Sequence, residues 1–126
     1  MPHICIECSA HLGEMIDLQR FVRDLHKAAI STGVFASGAV RTFAVPCSPW
    51  VTGDGSGQGV FVRIHARIAP GRSAEVKQTI RTTLFDTANV ALESVFALGP
   101  AALQVEVTEF EHDFSASRNT MLATTT

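Results

Sequence analysis

The sequence predicts an α+β two-layer fold, in which duplicated β-α-β units form a four-stranded sheet with two helices on one face. Three observations predict it. A two-residue alternation brackets a helix-spaced segment, and that order occurs twice within 126 residues. The pseudo-repeats, about 1–58 and 59–126, are close in length, which speaks for one duplicated domain over residues 1–126. A stretch dense in Pro, Gly, Ser and Asp, PCSPWVTGDGSGQG at 46–59, separates them.

Residues 2–8 read as the first strand, with Ile4 and Ile6 on one face and Cys5 on the other. From 14 to about 31, Met15, Leu18, Val22, Leu25 and Ala29 recur at helical spacing, and Gly33 is a natural stop. Residues 39–45 form the second strand. Residues 60–68 alternate cleanly, with Val62, Ile64, Ala66 and Ile68 facing one way and Arg63, His65 and Arg67 the other. Pro70-Gly71 turns the chain, and Ser73 caps a helix to about residue 96 with Val76, Ile80, Leu84, Ala88 and Leu92 along one stripe. Leu103, Val105 and Val107 line one face of a last strand, 103–110. A polar tail begins at Glu111, and its ATTT end is expected to fray.

Composition narrows the function. Charged residues are 17% of the chain and apolar ones 46%, so part of a lightly charged surface is expected to pack against other subunits. A formal charge of −2 without blocks of like charge gives no general attraction for nucleic acid. No apolar run reaches membrane-span length, and the start MPHICIECSAH lacks the pattern of a signal peptide. Three cysteines, an odd number, fit a reducing compartment. The expectation is a cytoplasmic protein.

Pro2 is the first candidate for chemistry. Met followed by Pro favours removal of the initiator, which leaves a secondary amine. An amino terminus is among the few groups that titrate near neutral pH. Burial and nearby cations push its pKa down, and a base poised there moves protons next to a carbonyl. An attached Met1 makes this nitrogen an amide with no useful basicity. Taken alone, Pro2 is also an ordinary second residue.

Arg41, within the second strand, and Arg72, just before the second helix, are the next pair. A guanidinium is a planar fork suited to carboxylates, so two convergent arginines imply a small anionic substrate. Solvated or structurally paired arginines are the bland alternative. The five histidines have no metal spacing. His3 could line a site beside Pro2, although a packed histidine is the commoner case. Cys5 and Cys8 spell CxxC, but on a strand they point to opposite faces, and no second pair completes a zinc site. Cys47 reads as a loop thiol, and the glycines of GDGSGQG as a flexible loop near the site rather than a phosphate cradle, because strand follows them.

Together these residues resemble the tautomerase superfamily, and within it the 5-carboxymethyl-2-hydroxymuconate isomerase family. The matching segments are MPHICIE, TGVFASGAVRTFA and VRIHARIAPGRSAEVKQ. The second half alone is similar to a 4-oxalocrotonate tautomerase subunit, through IAPGRSAEVKQ and the strand ending in VTEF. The resemblance implies a homotrimeric isomerase of aromatic-compound catabolism that moves a proton along an unsaturated oxo-acid without metal or organic cofactor. It implies Pro2 as general base, with Arg41 and Arg72, from one subunit or from two, binding carboxylates and polarising the carbonyl. The Arg118-Asn119 pair echoes a C-terminal segment of the family and implies substrate contact. Phe43 stands where relatives often carry a second basic residue, the 46–59 loop is unlike its counterparts, and the chain has no Tyr.

Two other functions use the same features. One is hydration or dehalogenation by the same amine, which needs a carboxylate to activate water, with Glu7 or Glu106 as candidates. The other is a non-catalytic oligomeric module that binds a small acid and tolerates a retained Met1.

Overall fold

The computed structural model describes residues 1–124. The chain runs β1 (His3–Ser9), α1 (Leu18–Ser31), β2 (Arg41–Cys47), β3 (Val60–Ile68), α2 (Ala74–Ala91), α3 (Glu93–Leu98) and β4 (Ala101–Glu109). The strands form one sheet in the order β2-β1-β3-β4. β1 is parallel to β2, β3 is parallel to β4, and β1 meets β3 antiparallel. This is the duplicated β-α-β plan, with the units joined through β1 and β3 and the long helices on one face. The fraying expected of the final residues concerns, at Thr125 and Thr126, positions outside the described residues.

One face of the sheet and the helices enclose the core. Ile4, Ile6 and Cys8 of β1 and Val62, Ile64, Ala66 and Ile68 of β3 are buried against Phe21, Leu25 and Ala29 of α1 and Ile80, Leu84 and Ala88 of α2. Each fully buried Ile or Leu contributes roughly 1.5–3 kcal/mol by area. The alternation on β1 and β3 is thus the main determinant of which face the helices cover.

Several boundaries differ from those expected, each for a local reason. α1 starts at Leu18 rather than 14, because Asp17 caps it by accepting from the Arg20 amide at 3.0 Å. Met15 and Ile16 precede this cap yet still pack against the core, so the apolar period runs on past the helix. The second helix does start after Ser73, whose Oγ accepts from the Val76 amide at 3.1 Å. It breaks at Leu92 (φ −97°, ψ 6°) and resumes as α3, a bend that accompanies burial of both Leu92 and Val95. β2 runs on through Pro46 to Cys47, so Cys47 ends a strand instead of lying in a loop. A proline is tolerated there because β2 is an edge strand and its missing N–H faces no partner.

The connectivity gathers one set of termini. His3 pairs with Arg41 on one side and Arg67 on the other, and Arg67 pairs with Thr108. The start of β1, the start of β2 and the ends of β3 and β4 therefore share one edge of the sheet. The 48–59 connection lies at the opposite end of the sheet, away from this edge within the subunit. It is also tied down there. Trp50 stacks on His11 with centroids 4.9 Å apart and donates to the Gly59 carbonyl at 3.0 Å, while Thr52 Oγ1 accepts from the Gly59 amide at 2.9 Å.

Among the described residues, the second face of the sheet carries neither of the long helices. Arg63 donates to Glu7 at 2.6 Å and also pairs with Glu106, which closes a charge triad across β1, β3 and β4. Phe43 and Val45 are about two-fifths exposed on the same face. Cys5 lies on this face and Cys8 in the core, as the strand geometry of the CxxC predicts.

Candidate active site

The shared edge is roofed by the segment after β4. Its near end is held where the Phe110 amide donates to the Ile68 carbonyl at 2.9 Å. Its far end is held where Asn119 Nδ2 donates to the Gly38 carbonyl at 2.9 Å and Asn119 Oδ1 accepts from the Met121 amide at 2.9 Å. Between these ties, residues 111–118 cross the ends of the strands as a strap. A cleft of about 470 Å³ opens beneath it, floored by Met1, His3, Arg41 and Arg67 and walled by Phe110, Glu111, Phe114 and Arg118.

Pro2 is buried at the start of β1, and its carbonyl accepts from the Arg41 amide at 3.0 Å. The backbone thus joins the Pro2 position directly to the candidate anion binder. Met1 itself lies in the cleft, where its thioether is a partner of the Arg41 guanidinium. Pro2 itself is not among the residues that line the cleft.

Arg41, Arg67 and Arg118 all line this cleft, and among the described residues none of them forms an ion pair. Arg63, four residues from Arg67 on the same strand face, is by contrast held by two carboxylates. The site therefore carries excess positive charge, which favours an anionic ligand. His3 sits among these cations. Its pKa is lowered from 6.5 by burial first, then by Arg41, the amino terminus and Arg67, so the imidazolium is disfavoured. Its ring meets Phe43 edge-on at 6.4 Å.

The remaining candidates lie elsewhere. Arg72 sits at the same edge of the sheet but outside the cleft lining, with its guanidinium 5.9 Å from the centre of the Phe35 ring. The turn that carries it is fixed by Glu109, which accepts from the Gly71 amide at 2.9 Å and from Lys77 at 2.7 Å. Gly71 is at φ 101°, a backbone conformation that favours glycine. Asn119 uses both ends of its amide to pin the strap. Glu7 and Glu106 face away from the helices, held by Arg63. Sequence reasoning did not single out Arg67 or the aromatic wall. For Arg67 the signal was available in the strict alternation of Arg63, His65 and Arg67, but the register that sets it beside His3 was not.

This two-unit subunit with a cationic cleft at the amino-terminal edge is an isomerase of the tautomerase type. The same fold occurs at lower similarity in a fused 4-OT wild-type symmetric trimer, with a TM-score of 0.63 at 15% identity over 92% of this chain and 93% of that one. The chain belongs to the 5-carboxymethyl-2-hydroxymuconate isomerase family, whose model matches residues 2–124. It is 25% identical over 123 residues to the 5-carboxymethyl-2-hydroxymuconate Delta-isomerase of Escherichia coli, covering 98% of each chain. A solved 5-carboxymethyl-2-hydroxymuconate isomerase from Deinococcus radiodurans R1 superposes with a TM-score of 0.91 at 26% identity, over 98% of this chain and 92% of that one. No helix among the described residues is long and apolar enough to cross a membrane.

Proposed function

We propose that this isomerase shifts a proton along an unsaturated oxo- or hydroxy-acid with two or more carboxylates, of the 5-carboxymethyl-2-hydroxymuconate type, with the Pro2 amine as general base once Met1 is removed. The observation that carries the reading is the position of Met1: it lines the arginine-bearing cleft, and the carbonyl of the next residue, Pro2, accepts from the Arg41 amide. A cation beside an amine disfavours its protonated form, and Arg41 is the arginine whose backbone is joined to Pro2. The amine takes the proton of the dienol hydroxyl, the electrons shift to form the carbonyl, and the protonated amine returns the proton to a carbon of the conjugated chain. Arg41 stabilises negative charge on the substrate oxygen and, with Arg118, binds carboxylate. Asn119 contributes by holding the strap that carries Arg118.

We further read the molecule as a homotrimer built through the uncovered sheet face, with the exposed Arg72 serving the cleft of a neighbouring subunit. The exposed Phe43 and Val45, and the trimeric state of the fused 4-OT proteins that share the fold, support this. Three free thiols accord with a cytoplasmic enzyme. Hydration or dehalogenation through Glu7 or Glu106 has less support, because Arg63 engages both.

The test is the intact mass of untagged protein followed by an enol-to-keto assay on a 2-hydroxydienedioic acid. Loss of Met1 together with ketonisation is expected. Retained Met1 in active protein would overturn the amine mechanism.

A further inference from the structure

Three positions on three adjacent strands form one row across the sheet. His3 on β1 lies opposite Arg41 on β2 and opposite Arg67 on β3, and all three line the cleft. Neighbouring strands are about 4.8 Å apart, so the two arginines start roughly 10 Å from each other with the imidazole between them. From that distance two long side chains can hold two separate anionic groups, or one each end of an elongated anion.

Charge pairing along β3 separates Arg67 from its neighbours. Arg63 is neutralised by Glu7 and Glu106, and His65 is hydrogen-bonded to Thr108 Oγ1 at 2.6 Å. Arg67 continues the same face, yet among the described residues it forms no ion pair. Glu111, the single acidic residue in the lining, pairs with none of the three cleft arginines. His3 adds a hydrogen-bonding group between the two arginines.

We propose that Arg67 is a specificity-determining residue of this cleft, binding the carboxylate of a dicarboxylate substrate that lies distal to the end held by Arg41. The isomerase reading supplies the substrate class on which this rests, but the row Arg41–His3–Arg67 exists whatever the role of Pro2. A single-carboxylate substrate would engage Arg41 and leave Arg67 solvated. A dicarboxylate would bridge His3 and engage both. Arg67 then contributes to binding rather than to the proton transfer, and its loss falls on KM rather than kcat.

The experiment compares wild type, Arg67→Ala and Arg67→Lys on a 2-hydroxydienedioic acid and on a 2-hydroxydienoic acid that lacks the distal carboxylate. For Arg67→Ala, KM for the diacid should rise roughly 10- to 100-fold, the loss expected for one charge-assisted pair, with kcat nearly unchanged. KM for the monoacid should stay within about twofold, and Arg67→Lys should recover part of the diacid affinity because it keeps the charge without the fork. Equal losses on both substrates, or no loss on the diacid, would overturn the proposal. Calorimetric binding of a saturated six-carbon dicarboxylate, against the matching monocarboxylate, separates this from the catalytic reading. A diacid preference that disappears in Arg67→Ala upholds the site even if wild type turns over neither dienoic acid. The absence of any such preference in wild type sinks the site even if catalysis is found.

Discussion

Asn119 reaches back across the fold to Gly38, its amide nitrogen 2.9 Å from the Gly38 carbonyl oxygen. Gly38 lies in the short turn that feeds β2, three positions before Arg41, and Asn119 follows Arg118 directly. One side chain therefore sets the distance between the floor and the strap of the cleft.

Asn119→Ala should loosen the strap. Losing one partly buried hydrogen bond costs about 0.5–1.5 kcal/mol of stability, read as a small fall in Tm. The kinetic effect should be larger in KM than in kcat, because Arg118 loses its anchor and not its charge. A variant with unchanged KM would show that the strap keeps its place without this tie.

Pro2→Ala replaces the cyclic secondary amine by a primary one in a less constrained backbone. If Pro2 is the base, kcat should fall by about 10²–10⁴, the usual contribution of a positioned acid–base group. Circular dichroism and sedimentation should be unchanged. Full activity in Pro2→Ala would end the mechanism proposed above.

Arg41→Ala should raise KM for a diacid by roughly tenfold or more while the midpoint of thermal unfolding barely moves, since an exposed guanidinium adds little to folding. Unchanged kinetics would remove Arg41 from the site.

His3 should titrate below its ordinary value of 6.5 in an NMR pH series, and Arg67→Ala should move it back upward by removing one of the flanking cations. The folded state binds this proton less readily than the unfolded chain. The His3 contribution is therefore fully present above pH 6.5 and declines as pH falls below it. A His3 resonance titrating at or above 6.5 would contradict the cationic setting described.

At acid pH the turn that carries Arg72 should weaken. Lys77 first, and then the Gly71 amide, hold the Glu109 carboxyl below 4.5. Its stabilising effect is present above that value and is lost as pH falls through the lower folded pKa. Glu109→Gln should flatten that part of the acid-unfolding curve, and an unaltered curve would show that the Lys77–Glu109–Gly71 cluster carries none of the acid sensitivity.

Much of this protein was legible without coordinates, because its determinants are local. Alternation at 60–68 decided the core face of β3, Ser73 decided the start of α2, and a helix between strands, twice over, decided the two-unit sheet. The residues MPHICIE, GAVR and GRS pointed to the family that the comparisons then showed. Where local signals competed, the reading slipped: Met15 and Ile16 kept the helical period alive before the Asp17 cap, and Pro46 resembled a strand end although an edge strand tolerates it. What only the tertiary structure decided were relationships across distant positions. Strand register set Arg67 beside His3, the Asn119–Gly38 tie brought Arg118 over the cleft, and packing carried the 48–59 connection to the far end of the sheet. These depend on pairing between residues tens of positions apart, and no periodicity along the chain encodes which strand lies beside which.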